Sequence, residues 1–215
     1  MAGKDEMVLR GYNGEAESSH RRVPGPFEIV AMASSAGGLN ALSHVLSELP
    51  AGFVPVVVVQ HLDPHHASHM AEILSRRTAL RVCQAKDGDQ LVRGTVHIAP
   101  PDRHLLVNSD RSLSLTQTDL VHFVRPSADL LFQSVAASYR EQAIAIVLTG
   151  SGSDGRLGVE AVKKMGGVVI AQDRASSEFF GMPGAAIELG VVDMVLALDR
   201  IGPTLVSLAA GGEEA

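Results

Sequence analysis

The sequence has almost no cysteine, no tryptophan and no long apolar run, and these absences exclude several protein classes. Its single cysteine, Cys83, cannot form an internal disulfide, which argues against a disulfide-stabilised secreted domain. No apolar run approaches the ~20 residues needed to cross a bilayer, and the charged first residues lack the apolar core of a signal peptide. The net charge of -6 provides no basic surface for nucleic acid or an anionic membrane. We therefore expect a cytoplasmic protein with no membrane insertion and no nucleic-acid partner.

The composition is otherwise that of an ordinary globular domain. The chain has 215 residues, of which 46% are hydrophobic and 20% charged, enough to bury a sizeable core. Residues 1–25 carry many charges and glycines without a clear period. We expect a flexible leader over 1–25, one domain over 26–211 and a short tail over 212–215.

Short apolar runs alternate with helical patterns along most of the chain. This alternation predicts an α/β fold, a doubly wound, mostly parallel sheet flanked by helices, with an antiparallel hairpin as an addition. Short helices are expected after Pro183 and after Pro203. The predicted strands lie at 27–33, 56–59, 81–84, 96–99, 143–148, 168–171 and 192–196, and the hairpin at 104–108 and 112–116.

The stretch Ile29–Gly38 is the most informative part of the sequence. It is a buried apolar run followed by serines, paired glycines and a helical pattern, which is typical of a sharp strand-to-helix turn. Such a turn exposes a serine hydroxyl in front of the free N–H groups of a helix N-terminus, as in a nucleophile elbow. The small-x-Ser-x-Gly pattern fits Ser35 better than Ser34. The alternative is a glycine-rich turn whose serine only caps the helix.

Polar residues follow three of the most apolar predicted strands: Ser35, His61 and Asp154. In a parallel sheet the carboxyl ends of all strands lie at one edge, so these side chains are expected to meet there. Together they supply a nucleophile, a base and a carboxylate that orients the base. Taken singly, His61 is equally compatible with a buried structural histidine, and Asp154 with a turn or helix cap.

A nucleotide site is a second interpretation. The segment Gly150–Gly155 matches G-x-G-x-x-G between a predicted strand and helix, and Asp173 follows the next strand. Against it, Asp154 would place a negative charge inside a loop that has to hold a pyrophosphate.

A metal site is a third interpretation, since four histidines lie within nine residues: His61, His65, His66 and His69. On a continuous helix, His65 and His69 would share one face. However, Pro64 interrupts the stretch, and no glutamate follows His65 as a zinc protease helix requires.

Six motifs in order resemble the catalytic domain of the chemotaxis methylesterase family, CheB, over residues 27–210. The resemblance implies a serine esterase that hydrolyses glutamate methyl esters on chemoreceptor helices and releases methanol, with glutamine deamidation as a further activity. Carried over, Ser35 is the nucleophile, His61 the general base and acid, and Asp154 the orienting acid, with no metal or organic cofactor. The Ala36 and Ser151 backbone amides match the oxyanion region. The motifs are Ala33–Gly38, Gln60–Pro64, Ile98–His104, Arg125–Ser127, Leu148–Gly155 and Phe180–Pro183.

The chain departs from this family at three points. Alanine stands at position 33, where the family usually has glycine, and we expect its Cβ to crowd the turn unless the backbone stays in a region allowed to alanine. Serine stands at position 151, where methionine is common. Finally, 26 residues before the first strand are too few for the phospho-acceptor receiver domain common in the family. We therefore expect an esterase without receiver gating in cis, either constitutive or controlled by a separate regulatory protein.

Overall fold

A computed structural model describes residues 27–61 and 68–211 of the chain. The expected leader, the tail and two of the four clustered histidines, His65 and His66, lie outside the described residues. No helix within these ranges is both long and apolar enough to cross a membrane.

A seven-stranded sheet, parallel throughout, forms the centre of the described fold, with strand order β3-β4-β2-β1-β7-β8-β9. The β-branched run of β2 is fully buried, as expected for a strand covered on both faces. The predicted hairpin, β5 and β6, is a separate antiparallel pair. The doubly wound α/β fold with a hairpin addition is therefore confirmed. The strands are β1 Ile29–Ser34, β2 Val56–Gln60, β3 Arg81–Gln84, β4 Thr95–Ile98, β5 His104–Val107, β6 Leu113–Thr116, β7 Ala143–Val147, β8 Val168–Gln172 and β9 Met194–Leu196.

Helices cover both faces of the sheet, and the alternation of side chains in β1 shows how the two cores are divided. Ile29, Ala31 and Ala33 belong to the core under α3, α4 and α5, whereas Val30 and Met32 belong to the core under α1, α2 and α6. The hairpin packs on the first of these faces. The helices are α1 Gly38–Ser47, α2 Met70–Ser75, α3 Ala128–Tyr139, α4 Arg156–Lys164, α5 Gly181–Ile187 and α6 Leu198–Ala209.

Two predicted helix starts were wrong. Helix α5 begins two residues before Pro183, which lies in the first turn, where a missing N–H costs no helical hydrogen bond. Helix α6 begins at Leu198, and Pro203 lies inside it. The buried Ile201 and Leu205 anchor that helix to the sheet despite the lost donor.

The winding of the sheet reverses between β1 and β7. From β1 the chain moves outward through β2 on one side, and later returns to β7 on the other side. Ligand sites of open α/β sheets lie at the carboxyl ends of the strands that flank such a reversal. The loops after β1, β2 and β7 therefore border the expected position of an active site.

Candidate active site

The two serines at the end of β1 have different environments. Ser34 is fully buried, and its Oγ donates a 2.6 Å hydrogen bond to Gln60 Oε1. Ser35 lies one residue beyond the strand and is half-buried. Its backbone N–H donates to Thr149 O at 3.0 Å, which joins the turn to the loop after β7. Ser35 is thus the more accessible of the two serines, as the turn pattern predicts.

Gln60 holds the ends of β1 and β2 together, a role that the sequence analysis missed. Its buried amide donates to Ser35 O at 2.7 Å and to His61 O at 3.0 Å. This clamp depends on Gly38, because a Cβ there would lie 2.0 Å from Gln60 Oε1. The only sequence signal was a polar residue at the end of an otherwise apolar strand.

His61 and Asp154 meet across the edge of the sheet. His61 Nε2 lies 2.8 Å from Asp154 Oδ2, and the side chains are 13% and 4% exposed. A carboxylate only accepts hydrogen bonds, so the Nε2 that faces Asp154 carries a proton. In the neutral form of the ring, Nδ1 is then the nitrogen with the free lone pair, which is the tautomer that a general base requires.

Asp154 also accepts hydrogen bonds from the N-terminus of α3. The Ala128 N–H donates to Oδ2 at 2.6 Å, while Ser127 Oγ and the Asp129 N–H donate to Oδ1 at 2.8 and 3.2 Å. Burial by itself raises the pKa of Asp154, but hydrogen bonds from His61, Ala128 and Ser127 and the charge of His61 outweigh it and lower that pKa. The carboxylate therefore stays ionised. Sequence reasoning missed Ser127 in this role and gave it only as part of the Arg125–Ser127 motif.

The predicted nucleophile and the predicted base lie at one edge of the sheet without a hydrogen bond between their side chains. Ser35 and His61 both lie in the described part of the chain, and no hydrogen bond links their side chains. Their backbones are tied instead, since the His61 N–H donates to Ser34 O at 3.1 Å. Serine–histidine contacts of this kind often form only when substrate is bound.

The turn leaves a backbone donor beside the Ser35 hydroxyl. Among the described residues, none accepts a hydrogen bond from the Ala36 N–H, which precedes the N-terminus of α1. Free amides at a helix start are suited to stabilise an oxyanion. Ser151, the other residue expected in that region, is exposed.

The expected crowding by alanine at position 33 does not occur. Ala33 pairs in regular register with Val59 on one side and Val147 on the other, within a β1 that is buried throughout. Its methyl group belongs to the core, so the bend begins only after Ser34.

A cleft of about 290 Å³ opens in front of the His61–Asp154 pair. Ser151 and Ser153 line one part of it and Phe123 lines another. A second cavity of about 250 Å³ is lined by Glu28 and Tyr139, far from the strand ends that carry the polar residues. The first cleft is thus the one that places a bound molecule against the predicted base.

The nucleotide interpretation gains no support from the loop that suggested it. The ionised Asp154 carboxylate occupies this loop, and it would repel a pyrophosphate. Asp173, the expected ribose ligand, accepts hydrogen bonds from Ser176 N and Oγ at 2.9 and 2.7 Å. Its carboxylate stabilises a local turn.

The metal interpretation is likewise unsupported in the part of the chain that the structure describes. The ring of His61 binds Asp154, and His69 lies 3.6 Å from Glu72 on the exposed start of α2. Over residues 27–61 and 68–211, no three His, Cys, Asp or Glu side chains form a group that could hold a metal ion. Cys83 is half-buried, and burial raises the pKa of its thiol, which keeps it protonated.

Comparison with known proteins places this geometry in one family. The family profile described as CheB methylesterase matches residues 30–205. The crystal structure of the Thermotoga maritima CheB methylesterase catalytic domain superposes with a TM-score of 0.82 at 38% identity, over 85% of this chain and 98% of that one.

Curated relatives carry matching names. A protein-glutamate methylesterase/protein-glutamine glutaminase of Maricaulis maris is 42% identical over 189 residues, which are 86% of this chain and 47% of the relative. A putative enzyme of the same name from Leptospira interrogans is 35% identical, over 85% of this chain and 95% of the relative. The chain thus spans about half the length of several relatives and nearly all of another. From its fold and these matches, the chain belongs to the CheB methylesterase family.

Proposed function

We propose that the chain is a protein-glutamate methylesterase that acts through Ser35, His61 and Asp154. The observation that carries this proposal is the 2.8 Å His61–Asp154 hydrogen bond at the sheet edge where the half-buried Ser35 follows the fully buried Ser34. A serine hydroxyl is a weak nucleophile near neutral pH, so a base of this kind is what it needs.

In the first half of the reaction, Ser35 Oγ attacks the carbonyl carbon of a glutamate methyl ester. His61 takes the hydroxyl proton on Nδ1, and Asp154 stabilises the imidazolium that forms. The Ala36 N–H donates to the oxyanion of the tetrahedral intermediate. His61 then gives the proton to the leaving methoxide, and methanol departs from a Ser35 acyl-enzyme.

In the second half, water replaces methanol in the same site. His61 removes a proton from the water, the hydroxide attacks the acyl carbon, and Ser35 leaves with the proton back on its oxygen. The sum is one ester and one water converted to one carboxylic acid and one methanol. With a glutamine side chain in place of the ester, the same steps release ammonia. The Maricaulis relative is named for both activities.

The substrate we propose is a methylated chemoreceptor segment presented to the cleft in the cytoplasm. The regulator we propose is a separate protein. The family membership and the names of relatives support the substrate class.

The competing function is a binding module that keeps the fold but has lost catalysis. Crowding of the turn by the Ala33 Cβ would be one cause of such a loss, and the regular packing of Ala33 argues against it. The charged, hydrogen-bonded Asp154 would be a costly group to keep buried in a module that does no chemistry.

The test is methanol release from membranes whose receptors carry radiolabelled glutamate methyl esters. The wild type should release label, and Ser35→Ala should release it slower by a factor on the order of 10³ or more. Equal release by both proteins would refute the assignment of Ser35. No release by the wild type would favour the binding module.

A further inference from the structure

One aromatic side chain beside the candidate active site is almost fully exposed. Phe123 is 93% exposed, whereas Phe27, Phe53 and Phe132 are each at most 4% exposed. It lines the cleft that His61 and Asp154 also line. Single exposed apolar residues are common on protein surfaces, and what distinguishes Phe123 is its position at the rim of this cleft.

The backbone that carries Phe123 is in an unfavourable conformation. His122 and Phe123 have φ angles of 48° and 64°, in the left-handed region that bulky residues rarely adopt. Val121 and Val124 exchange backbone hydrogen bonds of 3.2 and 2.9 Å around them, which makes this a tight two-residue turn. Glycine and asparagine are the residues that such a turn favours, so phenylalanine is present for a reason other than the turn.

Side-chain contacts hold both sides of this turn against the body of the domain. His122 Nε2 lies 3.2 Å from the buried Asp129 Oδ2, at the start of the helix whose N-terminus holds Asp154. On the other side, the Arg125 guanidinium donates two hydrogen bonds of 2.8 and 2.6 Å to Asp102 Oδ1. Phe123 is therefore held at a set position relative to the catalytic groups.

We infer that Phe123 is a specificity-determining residue that packs against an apolar side chain of the protein substrate next to the esterified glutamate. This inference rests on the proposed function. The ester contributes only one methyl group and cannot fill a cleft of about 290 Å³. Contact with a neighbouring apolar side chain would take the exposed ring out of water, and a free small ester offers no such contact.

The test compares Phe123→Asn with Phe123→Leu. Asparagine tolerates the left-handed backbone but removes the apolar contact, and leucine keeps the contact. The matched control is Val92→Asn. Val92 is an exposed apolar residue (52%) that precedes β4, so it lies at the amino ends of the strands, opposite the candidate site. For each protein, kcat and KM are measured on radiolabelled methylated receptor membranes and on p-nitrophenyl acetate.

The quantity compared is the ratio of kcat/KM on receptor membranes to kcat/KM on p-nitrophenyl acetate. For Phe123→Asn we expect this ratio to fall on the order of 10-fold, mainly because KM on membranes rises. The same variant should gain about 2–4 °C in Tm because the strain is relieved. Phe123→Leu should stay within about threefold of the wild-type ratio, and Val92→Asn should not change it.

An unchanged ratio in Phe123→Asn, with an active wild type, would overturn this inference and leave the proposed function intact. An equal loss on both substrates would also overturn it, because that result indicates a structural role. If the wild type hydrolyses p-nitrophenyl acetate but releases no methanol from membranes, the proposed function fails, and the inference fails with it.

Discussion

Replacing Asp154 by asparagine should reduce both stability and activity, because this carboxylate has two separate roles. It accepts two hydrogen bonds on each oxygen, from His61 and Ala128 on Oδ2 and from Ser127 and Asp129 on Oδ1. An amide NH₂ in place of either oxygen would face donors that it cannot bind. In the least costly orientation the NH₂ faces Ser127, whose hydroxyl can turn to accept, and the Asp129 N–H loses its acceptor.

The loss of stability follows from these contacts. One buried backbone donor left unpaired costs about 1–3 kcal/mol, and loss of the charge at the N-terminus of α3 costs about 0.3–1 kcal/mol. We expect Asp154→Asn to lower the free energy of unfolding by about 1–4 kcal/mol, which corresponds to a Tm lower by roughly 3–15 °C.

The pH dependence of this loss has a definite sign. The pKa of Asp154 is lowered in the folded state, so its stabilising contribution is complete above the ordinary value of 3.8 and is lost as the pH falls through the lower folded value. Urea unfolding at pH 7 should therefore show the full difference between wild type and Asp154→Asn. At pH 3 that difference should be smaller.

The activity of Asp154→Asn should fall by a factor on the order of 10³, because no charge remains to stabilise the His61 imidazolium. Ser127→Ala is the matched control: it removes one hydrogen bond to Oδ1, leaves the His61 contact intact, and should cost about 1 kcal/mol with less than about tenfold loss of methanol release. Wild-type methanol release by Asp154→Asn would refute the proposed role of Asp154, and unchanged stability at pH 7 would refute the structural reasoning.

Three further predictions follow from contacts around the site. Ser34→Ala should lower the free energy of unfolding by about 1–3 kcal/mol, because it leaves Gln60 Oε1 buried without its donor. Its methanol release should nevertheless stay within several-fold of wild type. A loss as large as that of Ser35→Ala would contradict the assignment of Ser35 as the nucleophile. Gly38→Ala should lower methanol release more than tenfold, because the added Cβ would displace the Gln60 side chain. In the control Gly52→Ala no atom lies within 4 Å of the added Cβ, so the free energy of unfolding from a denaturant titration should stay within about 0.5 kcal/mol of wild type. Similar behaviour of the two variants would refute the role of Gln60 as a clamp. Burial raises the pKa of Asp129, so the wild type should lose stability relative to Asp129→Asn as the pH rises above 3.8. Unfolding curves between pH 4 and pH 8 that show the same stability difference at every pH would contradict this prediction.

The strands and the edge that carries the site could be predicted from the sequence because both depend on local patterns. Apolar runs identify buried strands, and polar residues directly after them must lie at their carboxyl ends. Ser35, His61 and Asp154 were found in this way, and the structure places all three at the reversal point of the sheet. Their catalytic roles stay a prediction until they are tested.

The partners of these residues could not be predicted, because they depend on packing between distant segments. Ser127 binds Asp154 across 27 residues of sequence, and Ser34 binds Gln60 across 26. No local pattern distinguishes a serine that begins a helix from one that also supports a carboxylate. The strained turn at Phe123 was missed for a similar reason, since its residues are atypical of such turns and are held by contacts with distant side chains.

The most direct test of the central claim is to locate the covalent adduct that a serine-directed phosphonate forms. The account predicts one adduct on Ser35 in the wild type, retained in Ser34→Ala, absent in Ser35→Ala and formed far more slowly in Asp154→Asn. Fragmentation mass spectrometry distinguishes the two adjacent serines. An adduct on Ser34, or no adduct in a protein that releases methanol, would contradict the account.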